Sequence, residues 1–268
     1  MPGAEQTEPK GNLKPQVYLE ERPAEHFTKF HDRTRSKRPN WMYEFVRLVL
    51  TPYLMFFFRT RAIDSDKVPA DGPVIVAPNH FSFLDHFFVS VYLRRKVQFM
   101  AKSQLFEKPM EVVYNNGGVF PVRRGHRDEE AFKTAHAVLA RGDIVVMYCE
   151  GGRSRSGELG DPKPGVGRLA LESGVPVVPA ALVGSERVRN WRKLQFPKVT
   201  AQFGDPIVFD RVEDPAREQS QAASEAVFER ISVLWAGLRE NGRGPTVRAR
   251  RAARRAAEAA SRRPAATR

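Results

Sequence analysis

A histidine and an aspartate five residues apart, His80 and Asp85, lie in the run Ala77-Pro78-Asn79-His80-Phe81-Ser82-Phe83-Leu84-Asp85. The apolar stretch Val74 to Val76 precedes the run, and a helix-like segment from Leu84 to Leu93 overlaps its end. On one regular helix such a pair would point well apart, because a turn takes about 3.6 residues. At a strand-to-helix junction, a histidine just before the helix can meet an aspartate in its first turn. The carboxylate then holds one imidazole nitrogen while the other faces a substrate, which is the equipment for deprotonating an alcohol. A metal site made of His80, Asp85 and His86 is the competing reading. The chain supplies neither the helical histidine pair nor the cysteine spacing of metal motifs, and no metal is expected.

Further blocks follow in order: Ala101-Lys102-Ser103-Gln104-Leu105-Phe106, Gly117-Gly118-Val119-Phe120-Pro121-Val122-Arg123, Tyr148-Cys149-Glu150-Gly151-Gly152-Arg153-Ser154, and Val175-Pro176-Val177-Val178-Pro179. Together with the first run they resemble the glycerolipid acyltransferase family, whose bacterial members acylate lysophosphatidic acid. The resemblance extends from about Pro69 to Asp210. Asn79, His80, Ser82 and Asp85 fit the family's Asn-His-x-Ser-x-x-Asp pattern in full, and Gly117, Phe120 and Arg123 fit Gly-x-x-Phe-x-x-Arg. Lys102 falls in the family's Lys-x-Glu-Leu-Phe stretch, with Gln104 replacing the acid. Tyr148, Cys149 and Gly152 depart from the usual Phe-Pro-Glu-Gly-Thr-Arg-Ser.

The resemblance implies acyl transfer without an acyl-enzyme. His80 would take the proton of the acceptor's hydroxyl as that oxygen attacks the thioester of acyl-CoA or an acyl-carrier protein. Asp85 would fix the imidazole tautomer and stabilise the imidazolium. General-base catalysis supplies a rate factor of about 10²–10⁴, so positioning and oxyanion donors must add the rest. Backbone N–H groups near the turn are the expected donors. Arg123 and Arg153, with Lys102 as a point charge, would hold an acceptor phosphate. Glu150 would orient the acceptor's hydroxyls or an arginine, and Gly151 and Gly152 allow close backbone approach. The lost threonine at Gly152 leaves the acceptor open. Lysophosphatidic acid leads, with a lysophospholipid, glycerol phosphate or a glycolipid as alternatives. No cofactor is implied beyond the thioester co-substrate. A non-catalytic lipid- or nucleic-acid-binding module is the reading from another class, and the intact catalytic turn argues against it.

Stepping outward, 268 residues with 41% hydrophobic content suffice for one domain with a real core. Val74 to Val76, Val97 to Met100, Gly118 to Val122, Ile144 to Tyr148, Val177 to Leu182 and Val199 to Phe203 read as strands. Helical patterns alternate with them: Leu84 to Leu93, a helix capped by Asp128 with Phe132, Ala135, Val138 and Leu139 inward and stopped at Gly142, and Val166 to Ser173 closed by Gly174. A longer helix from Ser220 to Glu240 carries Val227, Ile231, Leu234, Trp235 and Leu238 on one face. The expected fold is a single α/β domain, residues 41–240, with a largely parallel central sheet flanked by helices. Cys149, the only cysteine, ends an apolar run and reads as buried rather than nucleophilic. It permits no intramolecular disulfide, which fits the cytoplasmic side of a cell.

The flanks differ in character. Residues 1–40 are polar, carry eight Lys or Arg against six acids, show no secretory signal, and are expected to have little structure of their own. Residues 41–58 are rich in aromatics but interrupted by Glu44, Arg47 and Pro52, too short to span a bilayer. They read as an interfacial helix broken near Pro52, with a buried core helix as the competitor. From Arg243 to Arg268, nine arginines stand against Glu258 alone, a disordered basic tail for a polyanion. An anionic membrane surface is the expected partner and nucleic acid the lesser one. The whole describes a peripheral enzyme on the cytoplasmic face of the cell membrane, of open oligomeric state.

Overall fold

The computed structural model describes residues 20–261, apart from 125–127, 189–193 and 195. Two helices, α1 (Thr28–Ser36) and α2 (Trp41–Phe57), come first and are followed by a three-residue strand β1 (Arg61–Ile63). Strands and helices then alternate: β2 (Val74–Pro78), α3 (Asp85–Ser90), β3 (Val97–Lys102), α4 (Met110–Asn116), β4 (Val119–Val122), α5 (Glu129–Ala140), β5 (Ile144–Val146), α6 (Gly165–Ser173) and β6 (Val177–Val183). Strand β7 (Thr200–Phe203) and helices α7 (Arg217–Asn241) and α8 (Arg243–Ser261) complete the described chain.

One seven-stranded sheet runs in the order β1-β7-β6-β2-β5-β3-β4. The β6–β7 pair is antiparallel and every other neighbouring pair is parallel. Side chains alternate across the pleat. Val74, Val76, Val97, Phe99 and Val178 therefore join one core layer with Leu54, Phe58 and Phe88 from the α2 and α3 side. Ile75, Ala77, Val145 and Val177 join the other, with Ala135, Val138, Leu169, Val227 and Ile231 from α5, α6 and α7. The helix boundaries have local causes. Asp128 caps α5 by accepting from the N–H of Ala131 at 3.2 Å. Helices α6 and α7 meet at Gly167, where a Cβ would stand 2.0 Å from the Ser220 carbonyl oxygen.

All six expected strands form, with Ile144 to Tyr148 shortened at Val146. Strand β1 was not foreseen, since three residues running from exposed to buried carry little pattern. Both flanks correct the sequence reading. Within the first forty residues, Phe27 and Phe30 are buried against Phe106. His31 Nδ1 lies 2.9 Å from Thr134 Oγ1 on α5, and Arg22 donates to the carbonyls of Ser103 and Phe106. Residues 1–19 lie outside the described residues. At the other end, 243–261 form helix α8 rather than a disordered tail. Arg250 pairs with Asp64 at 3.0 Å and Arg254 with Asp66 at 3.3 Å. Residues 262–268 lie outside the described part.

Helix α2 is also continuous through Pro52. Proline removes one helical hydrogen bond, but the helix is anchored on both sides of it. Tyr43 precedes Pro52, Leu54 and Phe58 follow, and all three are buried in the core. Arg47 adds a bond to the Leu93 carbonyl at 2.9 Å. The opposite face, with Trp41, Phe45, Leu48, Val49 and Phe56, is exposed. Among the described residues no helix is long and apolar enough to cross a membrane.

Candidate active site

The carboxyl ends of β2, β3, β4 and β5 lie on one edge of the parallel sheet, the usual place for a ligand crevice in such folds. His80 follows β2 directly, and Asp85 opens α3. The aspartate is buried, and its Oδ2 lies 2.9 Å from His80 Nδ1. The same oxygen accepts the backbone N–H groups of Phe81 at 2.6 Å and Ser82 at 2.7 Å. A carboxylate oxygen only accepts, so Nδ1 carries the proton and Nε2 keeps its lone pair. Ser82 Oγ accepts from the N–H of Leu84 at 3.1 Å and shapes the turn. Asn79 ties that turn to β6, its amide donating to the Leu182 carbonyl and accepting the Leu182 N–H.

Glu150 reaches the turn from β5. Its Oε2 accepts the His80 N–H at 2.7 Å and its Oε1 the Gly160 N–H at 2.8 Å. Both oxygens thus hold backbone, where the sequence suggested acceptor hydroxyls or an arginine. Burial lifts the Glu150 pKa to about 7 against those two hydrogen bonds. The His80 carbonyl in turn accepts from the Ser154 N–H at 2.8 Å. The expected oxyanion donors are mostly occupied, since the N–H groups of His80, Phe81, Ser82 and Leu84 all have partners within the protein.

Tyr148 stacks on the imidazole of His80, with centroids 3.9 Å apart and planes at 16°. Its buried hydroxyl has no hydrogen-bond partner among the described residues. Burial pushes its pKa well above the ordinary tyrosine value, and Asp85 adds to the shift. Burial likewise holds the pKa of His80 below its ordinary value. Asp85 opposes that shift by hydrogen bond and charge, while Arg153 and Arg124 reinforce it. Arg153 and Arg124 are therefore neighbours of the imidazole, and burial together with Arg153 lowers the Arg124 pKa. His86 sits among the rings of Phe83, Phe87 and Phe99, and burial depresses its pKa to about 3. Cys149 is fully buried, and burial raises its thiol pKa far from the reactive range.

The expected residues divide into two groups. His80, Asp85, Ser82, Asn79, Glu150 and Arg153 come together at the turn. Gly151 has φ of 63° in the bend after Glu150, a conformation that favours glycine. Lys102 ends β3 beside Val122 of β4, and Arg123 follows Val122 directly. The Arg123 N–H donates to Asp128 at 2.6 Å, while its buried Nε has no hydrogen-bond partner among the described residues. Gly117 and Phe120 do not join the site. Gly117 ends α4 at the opposite end of β4, and Phe120 is buried in the core. Tyr148 and Arg124 are the neighbours that sequence reasoning passed over. The one signal for Tyr148 was its departure from the family's phenylalanine.

Residues 59–183 match the family model described as Acyltransferase. A 1-acyl-sn-glycerol-3-phosphate acyltransferase of Bacillus subtilis is 28% identical over 72% of this chain and 96% of its own length. A chloroplastic 1-acyl-sn-glycerol-3-phosphate acyltransferase of Brassica napus is 30% identical over 49% of this chain and 39% of its own. The human beta form is 31% identical over 54% of each. The chain thus spans about half or less of the length of the plant and human relatives. The crystal structure of a 1-acyl-sn-glycerophosphate acyltransferase from Thermotoga maritima superposes with a TM-score of 0.49 at 20% identity, covering 76% of this chain and 88% of that one. The centre of the chain is thus similar to the Acyltransferase family and to 1-acyl-sn-glycerol-3-phosphate acyltransferases of bacteria, plants and human.

Proposed function

We propose that this protein transfers a fatty acyl group from a thioester donor to the free hydroxyl of lysophosphatidic acid, giving phosphatidic acid. The observation that carries the reading is the His80–Asp85 pair, with Nδ1 held at 2.9 Å and Nε2 left as the base. Nε2 takes the acceptor's hydroxyl proton as its oxygen attacks the thioester carbonyl. The tetrahedral intermediate expels the thiolate, and the imidazolium returns the proton to sulfur, so ester and free thiol leave together. The lowered His80 pKa keeps the imidazole neutral and ready near pH 7. Arg153, with Arg123 and Lys102 at the neighbouring strand ends, takes the acceptor's phosphate. Arg124 adds positive charge beside them. Tyr148 and Asp85 clamp the imidazole, and Glu150 fixes its backbone.

The acceptor and product of this reaction live in a bilayer. The exposed aromatic face of α2 supports a peripheral seat in the lipid interface. The arginines of α8 support attraction to anionic headgroups. The test is a panel of lyso-acceptors with acyl-CoA and acyl-carrier-protein donors, products identified by mass. Phosphatidic acid formed by wild type and lost in His80→Ala supports the reading. A product from phosphate-free acceptors alone would replace it.

A further inference from the structure

A second basic site lies on the other flank of His80. In the sheet order β7-β6-β2-β5-β3-β4, His80 follows the central β2, and the proposed acceptor residues all belong to the β5-β3-β4 side. On the opposite side a cleft of about 600 Å³ opens where β6 ends at Val183 and β7 begins at Thr200. That volume falls within the range of about 300–1,000 Å³ typical of ligand pockets. Its walls carry Arg187, Lys198, Arg239 and Arg243 against Glu158 and Glu186.

The charges do not cancel. Arg239 pairs with Glu158 at 2.8 Å, and Arg187 with Glu186 at 3.3 Å. Glu186 also accepts the Gly184 N–H at 2.7 Å. Among the described residues of the cleft, Lys198 and Arg243 remain as surplus positive charge. Arg243 donates to the Arg59 carbonyl, which neutralises nothing. Burial lowers its pKa, and Arg61 and Arg59 lower it further, so a bound anion would relieve repulsion there.

The cleft is also connected to the catalytic turn. Arg239 lies 4.3 Å over the Trp235 ring, and Trp235 packs 6.4 Å from Phe81, the residue after His80. The Glu158 carbonyl accepts from Ser154 Oγ, and the Ser154 N–H holds the His80 carbonyl. Acyl transfer brings two phosphate-bearing molecules to one imidazole, and they must approach from different directions. We propose that this cleft binds the phosphate groups of a coenzyme A thioester, with Lys198 and Arg243 as the principal cations, while the acceptor's phosphate occupies the opposite flank. A nucleotide diphosphate bearing a further phosphate supplies several negative charges to a cleft with two spare positive ones. The inference rests on the acyl-transfer reading for its geometry but not for its test.

The test uses the full-length protein and free coenzyme A, with binding followed by calorimetry and turnover followed with acyl-CoA and acyl-carrier protein in parallel. Lys198 is exposed, so Lys198→Glu leaves the fold undisturbed. It should weaken coenzyme A binding about tenfold and raise the acyl-CoA KM by a similar factor, moving the acceptor KM less than twofold. Arg243→Gln should act in the same direction, and added salt should shrink both effects. Coenzyme A affinity within twofold of wild type in Lys198→Glu would overturn the proposal. So would a KM effect confined to the carrier-protein donor, which would make the cleft a protein contact. Coenzyme A binding that depends on Lys198, in a protein that acylates no lyso-acceptor, would uphold the cleft and refute the reaction.

Discussion

The outer face of α2 permits a quantitative test of membrane seating. Phe45 is 54% exposed, Leu48 73% and Phe56 77%, so together they leave about two apolar side chains' worth of surface in water. Full burial of such a side chain contributes about 1.5–3 kcal/mol, which puts the three at about 3–6 kcal/mol if lipid covers them completely. Even the lower figure corresponds to more than a hundredfold in partition coefficient. The choice of residues matters, because Phe58 is fully buried and packs its ring against Phe88 and Phe196. Replacing it would unfold the helix's anchor rather than strip its outer face. The variant Phe45→Ser/Leu48→Ser/Phe56→Ser should keep its thermal midpoint within a few degrees and lose binding to neutral phosphatidylcholine vesicles by about a hundredfold in a sedimentation assay. A folded variant whose partitioning changes less than threefold would refute the interfacial reading and leave α2 as a core helix with incidental surface aromatics.

Further outcomes follow from the site. His80→Ala should abolish acyl transfer in a folded protein, and Asp85→Asn should cut turnover by about 10²-fold or more, since a neutral amide can keep the turn's N–H contacts but lacks the charge that stabilises the imidazolium. Because the base works unprotonated and its pKa is lowered, the acid limb of kcat/KM should fall below pH 6.5, and Arg153→Ala should move it upward. Arg153→Ala should also raise the acceptor KM by about tenfold or more, as expected for a lost charge-assisted contact. A raised carboxyl pKa means the folded state binds the extra proton between pH 4.5 and about 7, so Glu150 makes stability fall as pH rises through that window. Glu150→Gln should flatten that slope by about 3 kcal/mol, measured by urea unfolding at pH 5 and pH 8.

The central sheet was legible because its strands are short, apolar and separated by helices with clear stops. Val74, Ile75 and Val76 are fully buried, and the parallel sheet makes one unbroken apolar run of them. The turn was legible because His80 and Asp85 are adjacent to it in sequence. What depends on distant partners was not. Nothing local in an Ala- and Arg-rich tail announces that Arg250 and Arg254 meet Asp64 and Asp66, although alanine and arginine are good helix formers. The burial of Phe27 and Phe30 within the polar first forty residues depends on Phe106 from across the chain. Glu150 was recognised as important, but its grip on the His80 N–H is a contact between the segments that follow β5 and β2, which no spacing rule expresses. Pro52 misled because helix continuity there is decided by Tyr43 and Leu54 in the core, not by the proline.

The two ends of the described chain have one more consequence. An open sheet presents unpaired N–H and C=O groups at both outer strands, which are templates for pairing with another molecule. Here the outer strands are β1 and β4. Helix α1 packs against β4, and α8 is held by ion pairs to Asp64 and Asp66, just beyond the end of β1. Helix α1 thus covers one border of the sheet, while α8 fastens the loop that leaves the strand at the other, and both tie a flank of the chain to the β-rich core. Trimming α1 in an expression design would expose the β4 edge, and the resulting loss would be of solubility before catalysis.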